Sequence, residues 1–236
     1  MNALRPTAPD LDELLARFGG LDGADLLRPL LTEVFPGRIA LVSSFGAEAA
    51  VLLALVAEIE PATPVVFLDT GKLFPETLEY RDALAAKLGL TDIRSIAPDP
   101  ADLAQDPEGR LWRADPNRCC YLRKVKPLER ALSGFDAWIT GRKRFQGGAR
   151  AALPAVEHDG RHFKVNPLAP WSEERIQAEF ESRGLPVHPL VPYGFLSIGC
   201  MPCTRPVEPG QSARSGRWAG LAKTECGIHL DPGAHI

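Results

Sequence analysis

Short apolar runs rich in β-formers alternate with longer runs of helical spacing, and this alternation leaves few folds open. Arg38 to Ser44 (RIALVSS) precedes the helix-like AEAAVLLALVAEIE, and Pro64 to Gly71 (PVVFLDTG) precedes ETLEYRDALAAKLGL, which should stop at Gly89. TDIRSIA and DAWITG (Asp136 to Gly141) supply two further strands. Strands separated by helices pair in parallel and are covered on both sides, so the expected fold class is α/β, a Rossmann-like parallel sheet with helices on both faces. Ligands of such sheets lie beyond the carboxyl ends of the strands. The turns to watch are therefore SSFGAE, LDTG and TGRKR, each following a strand. LDELLARF and ADLLRPLLTEVF have helical spacing and form a lead-in. The expected division is a helical lead-in over 1–37, an α/β domain over 38–195, and a cysteine-bearing arm over 196–236 that belongs to the same domain and ends in a mobile tail.

A chain of 236 residues, 45% hydrophobic, suits one globular domain with an appended arm. Its net charge of −3 argues against a nucleic-acid coat, so an anion site must be built from local basic clusters. No apolar run approaches the roughly 18 residues of a membrane span. Asp10, Asp12 and Glu13 interrupt the N-terminal segment, which has no signal-peptide hydrophobic region. The expected location is the cytoplasm, where five cysteines are ligands or reactive thiols rather than disulfides.

After about residue 150 prolines and glycines become dense, and one helix fits, SEERIQAEFESRG, with Ser172 as N-cap and Gly184 as its stop. The rest reads as a loop-rich arm that needs something other than a large core to hold it. Cys119 and Cys120 are adjacent in RCCYLRKVKPL, and Cys200 and Cys203 form a CxxC in GCMPCTRP, where Gly199, Pro202 and Pro206 suit a metal knuckle. Zinc accepts four thiolates, yet two successive cysteines on one small ion would close a strained ring. A cubane gives each thiolate its own iron. A [4Fe–4S] cluster is the favoured reading, with zinc and buried structural cysteines as the alternatives. Cys226 is left over, in TECGIHL. Positive charge on Lys223 and His229 would favour its thiolate, the nucleophilic form, and Glu225 would oppose it.

Taken in order, SSFGAEAAVLL, VVFLDTGKLFPET, RCCYLRKVKPL, WITGRKRFQ, CMPC and ECGIHL resemble the assimilatory adenylyl-sulfate and phosphoadenylyl-sulfate reductases over most of the chain. The resemblance implies an adenine-nucleotide alpha-hydrolase-like fold. The cysteine pair with CxxC resembles the branch that carries one [4Fe–4S] cluster per chain, on Cys119, Cys120, Cys200 and Cys203, and mostly prefers adenosine 5′-phosphosulfate. It implies a cytoplasmic enzyme of sulfate assimilation and cysteine biosynthesis that draws electrons from thioredoxin or glutaredoxin. Cys226 would be the catalytic nucleophile, and a small sulfonucleotide the substrate, with no nucleic acid or membrane partner. A homo-oligomer is compatible with this reading.

On the resemblance, Ser43, Ser44, Phe45 and Gly46 are a degenerate ATP-pyrophosphatase loop whose helix N-terminus attracts an anion. Leu68, Asp69, Thr70 and Gly71 lie near the adenosine. In TGRKRFQGGAR, Lys143, Arg144 and Gln146 match the family's basic pair and glutamine, with Arg150 as a further anion contact. Lys124, four residues beyond Cys120, would link the cluster to the phosphosulfate. Arg214 and Arg217 match arginines placed against phosphate and sulfate, and His229 would orient the tail. The SSFG spelling is similar to the cluster-free branch and keeps a 3′-phosphorylated or dual substrate as the nearest alternative. A redox sensor that binds iron–sulfur or zinc without catalysis, and an RNA sulfur-transfer enzyme, are alternatives of other classes.

Overall fold

The computed structural model describes residues 9–221 and 223–229; the first eight residues of the lead-in and the chain from Leu230 onward lie outside the described residues. Helices α1 (Leu11–Phe18) and α2 (Gly23–Pro29) come first, and a π turn, Leu30–Val34, follows Pro29. The alternation read from the sequence then appears as β1 (Ile39–Val42), α3 (Ala49–Ile59), β2 (Val65–Leu68), α4 (Pro75–Leu88) and β3 (Ile93–Ile96). Short helices α5 (Pro100–Leu103), α6 (Leu111–Ala114) and α7 (Pro116–Cys120) lead into a second π turn, Tyr121–Val125, and α8 (Lys126–Leu132). Next come β4 (Ala137–Ile139), the hairpin β5 (Val156–His158) and β6 (Phe163–Val165), and α9 (Glu173–Ser182).

The six strands form one sheet in the order β3-β2-β1-β4-β6-β5. All neighbours are parallel except β5, which runs antiparallel to β6. The expected parallel sheet is present, with one antiparallel strand, β5, at its edge, and the region beyond residue 150 contributes two strands rather than loops alone. These strands are three residues each, too short to show alternation. Their signal is the turn between them: Asp159-Gly160 is a hairpin dipeptide, with Gly160 at φ +90° and Asp159 N–H donating to the His162 carbonyl at 3.2 Å.

Side chains alternate across the strands, so each face receives its own cover. Ile39, Leu41, Val65, Phe67, Ala137 and Ile139 face a core completed by α2, α3 and α4, which also takes Leu14 and Phe18 of α1. Ala40, Val66 and Trp138 face the other way, onto Leu128 and Leu132 of α8. The strand order turns back between β1 and β4, which sets a crevice at their carboxyl ends.

Local chemistry sets the helix ends as read from the sequence. Ser172 Oγ accepts from Arg175 N–H at 3.2 Å, and Gly89 caps α4 at φ +67°, in the left-handed region a glycine enters without a Cβ clash. The arm is tied back by main-chain bonds. Met201 N–H donates to the Lys72 carbonyl at 2.8 Å, Trp218 N–H to Cys203 at 3.0 Å and Arg205 N–H to Gly216 at 2.9 Å. Among the described residues no helix is long and apolar enough to cross a membrane.

Phe67 is fully buried, with its ring edge-on to Phe45 at 5.6 Å. Phe67→Ala should cost about 3–5 kcal/mol of unfolding free energy, while Tyr193→Ala, at a site 74% exposed, should stay within about 0.5 kcal/mol. Urea titrations of the three proteins check this.

Candidate active site

A cavity of about 510 Å³ opens at the β1/β4 turning point, within the size range of nucleotide pockets. Ser43, Ser44 and Gly46 line it, but Phe45 does not: its ring is fully buried in the core, and its backbone takes φ +49°. A non-glycine residue in that region is strained and must be held by its surroundings. Here the buried ring and the bond from Phe45 N–H to Ser43 Oγ (3.2 Å) hold it, turning the flanking small residues outward. Phe45 is therefore the anchor of the loop, and its side chain makes none of the expected substrate contact. Helix α3 begins at Ala49, later than the turn suggested, and Ala47, Glu48 and Ala49 carry its N-terminus to the cavity wall.

Leu68 and Thr70 also line the cavity, whereas Asp69 and Gly71 do not. Asp69 Oδ1 instead accepts from Gly71 N–H at 3.0 Å, closing an Asx turn. Thr70 faces two ways. Its carbonyl accepts from Arg123 Nη1 at 3.0 Å, and its hydroxyl lies 3.2 Å from Cys200 Sγ. Arg123 also pairs with Asp106 at 2.9 Å, both side chains being buried. Burial pulls the Asp106 carboxyl upward, but the bonds from Leu111 N–H and Arg123 outweigh it and leave the group below the carboxylate range.

Of the basic loop, Lys143, Gln146 and Arg150 line the cavity together with Arg142, which the sequence argument had not selected. Arg142 reaches Thr140 Oγ1 at 3.2 Å and pairs with Glu157. Arg144 is the correction: it is exposed, and its Nε donates to the Leu153 carbonyl at 2.8 Å, away from the cavity. Glu48, at the N-terminus of α3, accepts from Lys143 Nζ at 2.7 Å and Gln146 Nε2 at 3.2 Å.

Cys119, Cys120, Cys200 and Cys203 line one pocket beside the cavity, and all are free thiols. Lys124, Arg217 and Trp218 line both spaces and so form the wall between them. Burial pushes the Cys119 thiol up to about 11 and the Cys120 thiol to about 12. Burial also acts on Cys200, but the Lys124 ammonium, the Thr70 hydroxyl and Arg217 overcome it and bring that thiol below its ordinary value. The Arg217 guanidinium lies so close to Gly199 that a Cβ there would sit 2.3 Å from a terminal nitrogen, so any larger residue would displace the guanidinium. Arg217 Nε and Trp218 Nε1 are buried donors without a partner among the described residues. Within those residues, no three His, Cys, Asp or Glu side chains are grouped as ligands of a metal ion. The four thiols share a pocket without closing on one point.

Cys226 is half-buried and lines the cavity. Ile228 packs against the apolar cluster that includes Trp138, and the His229 ring stacks on the indole at 5.4 Å and 8°. His229 is not the positive neighbour expected of it. Burial, reinforced by Arg142, Arg150, Lys164 and Arg214, drives its basicity well below the usual range and leaves a neutral imidazole. Lys223 donates to Asn117 Oδ1 at 2.5 Å. The charge of Glu225, expected to oppose a thiolate, is matched by Arg150 at 2.7 Å and Arg214 at 3.4 Å.

The phosphoadenosine phosphosulfate reductase domain family matches residues 38–206. The chain belongs to this family. It is 54% identical to the adenosine 5′-phosphosulfate reductase of Mesorhizobium japonicum over 216 residues, 91% of this chain and 85% of that one. The phosphoadenylyl-sulfate reductase of Candida auris, solved as a phosphate complex, superposes with a TM-score of 0.69 at 25% identity, covering 86% of this chain and 100% of that one. An FMN adenylyltransferase of Candida glabrata shares the fold alone, with a TM-score of 0.56 at 16% identity over 88% of this chain and 73% of that one.

Within this reductase family member, the structure brings Ser43, Ser44, Gly46, Leu68, Thr70, Lys124, Lys143, Gln146, Arg150, Arg214, Arg217, Cys226 and His229 to one cavity. Trp138 and Glu48 join them, and neither was singled out in the sequence. Trp138 lies in DAWITG, where it reads as an ordinary strand residue; its signal was position, one turn of the chain before the basic loop. Replacing Asp106 with Asn should cost about 3 kcal/mol at neutral pH, because buried Arg123 loses its counter-charge. The native carboxyl, depressed below its ordinary 3.8, stabilises fully above that pH and less as the pH falls through its folded value. Denaturation midpoints between pH 7 and pH 3 should show an acid-side decline that is shallower in Asp106→Asn.

Proposed function

We propose that this chain reduces adenosine 5′-phosphosulfate to sulfite and AMP in sulfate assimilation, through an S-sulfocysteine on Cys226, with thioredoxin or a similar dithiol as reductant. The observation that carries the reading is the placement of Cys226 on the wall of a cation-lined cavity at the strand turning point. The high identity to a relative named for this nucleotide favours the 5′-phosphosulfate over the 3′-phosphorylated form.

The Cys226 thiolate attacks the sulfate sulfur. A Cys–S–SO₃⁻ bond forms, the bond from sulfur to the bridging oxygen breaks, and AMP leaves with the electron pair. Lys124, Arg217 and Arg214 stand where the leaving phosphate and the sulfonyl oxygens gather charge, and the N-terminus of α3 adds its amides. A thiolate of the dithiol then attacks Cys226 Sγ, and sulfite departs with the S–S electron pair. The second thiol of the dithiol resolves the mixed disulfide and returns Cys226. Two electrons pass from dithiol to sulfur.

Cys119, Cys120, Cys200 and Cys203 would hold the [4Fe–4S] cluster. The fit rests on four free thiols in one pocket, the Thr70 hydroxyl on Cys200, and the unpartnered donors of Arg217 and Trp218 beside an acceptor-rich group. When bound, the cluster supplies a compact negative centre that ties the arm to α7. Lys124 offsets that charge while its other side faces the phosphosulfate.

Anaerobic purification should yield about four irons and four sulfides per chain. Cys200→Ser should lose them. Cys226→Ser should keep iron and nucleotide binding yet release no sulfite with dithiol, and a Cys226→Ser protein with wild-type turnover would overturn the mechanism. Comparison of kcat/KM for the two sulfonucleotides should favour the one lacking the 3′-phosphate.

A further inference from the structure

Glu225 precedes the proposed nucleophile, and its carboxylate is unusually well held. Arg150 grips it in bidentate fashion, Nε to Oε1 and Nη2 to Oε2, both at 2.7 Å. Both side chains are mostly buried, 11% exposed for Arg150 and 16% for Glu225. Arg214 adds a contact at 3.4 Å to the same carboxylate and donates from Nη2 to the Thr224 carbonyl at 2.5 Å. A two-point guanidinium–carboxylate pair fixes direction as well as distance, and screening by water is reduced where the pair is mostly covered.

The pair does not end at Arg150. Its remaining Nη1 donates to Gln146 Oε1, Gln146 donates to Glu48 at 3.2 Å, and Lys143 closes on the same Glu48 at 2.7 Å. A continuous chain of charge-assisted bonds therefore runs from the residue beside Cys226, through the basic loop after β4, to the N-terminus of α3. In the docked state Arg150 thus bonds to the tail through Nε and Nη2 and to Gln146 through Nη1. Lys124, Arg142, Lys143, Arg214 and Arg217 line the same cavity.

We infer that Glu225 is a positioning residue: its clasp on Arg150 registers the tail so that Cys226 lies in the cavity, and the clasp must open for the tail to swing out to its reductant. The inference rests on the S-sulfocysteine reading for its kinetic consequence, although the clasp itself is a structural pair. Ile228 and the stacked His229 hold the far side of the cysteine by packing, which is not directional. The ionic pair supplies the direction and, being part-exposed, can be released.

The test uses the full-length protein purified anaerobically, with Glu225→Gln and Glu225→Asp. Two rates are read on the Cys226 peptide by mass: iodoacetamide alkylation without nucleotide, and single-turnover adduct formation with sulfonucleotide. Equilibrium nucleotide affinity is measured alongside. Glu225→Gln should raise alkylation and lower adduct formation each by about tenfold, the equivalent of about 1.4 kcal/mol of lost docking, with nucleotide affinity within about twofold. Glu225→Asp should fall between, because one carboxylate oxygen can still be reached. Added salt should change alkylation of the wild-type protein far less than Glu225→Gln does, because a mostly covered pair is screened little. Unchanged alkylation, or an adduct rate in Glu225→Gln equal to or above wild type, overturns the clasp. If the wild-type chain forms no adduct with either sulfonucleotide, the proposed function falls. The alkylation contrast, which needs no nucleotide, still decides the clasp in that case.

Discussion

The Lys124 ammonium sits between the cysteine pocket and the cavity, and the site is arranged around it. On one side are the four thiols of the cysteine pocket, and on the other the cavity where the tail brings Cys226. Burial weakens the charge of this lysine, but the sulfurs of Cys200, Cys226 and Cys120 more than restore it, so it stays a cation. Arg217 and Trp218 complete the same thin wall. A change in charge on either side is felt across it, since a shared cation cannot favour one neighbour without loosening from the other.

The sheet presents this wall. β1 and β4 diverge in connection, and their carboxyl ends deliver the serine loop and the basic loop to opposite sides of one crevice. Two backbone devices refine the result. Phe45 accepts a strained conformation because its ring is locked in the core, and Gly199 omits a side chain so that a guanidinium can lie against the main chain. Both decide where neighbouring groups that line the cavity are placed.

Much of this was legible in the residues, because the strand-to-helix alternation and the turns after each strand follow from local patterns. β5 and β6 were not, since three residues carry no period and their place beside β4 is set by long-range pairing. Within the site, residue type identified the basic loop but not which members face inward. Arg142 and Arg144 are two positions apart, and the turn beginning at Lys143 sends one inward and the other toward Leu153. The charge state of His229 was equally hidden. It depends on burial first, and then on four basic side chains from distant parts of the chain that meet only in the folded protein.

The π turn over Tyr121–Val125 has a consequence of its own. Pro127 has no amide to close an α turn onto Arg123, and the wider turn takes up one additional residue there. With 3.6 residues per helical turn, one residue corresponds to a rotation of about 100°. That offset lets a nearly continuous helical rod serve two masters, pointing Cys119 and Cys120 to their pocket while Leu128 and Leu132 still face the sheet. Deleting a single residue from this stretch would straighten the rod and force a choice between its packing surface and its cysteine-bearing face. Length here is under as tight a constraint as identity.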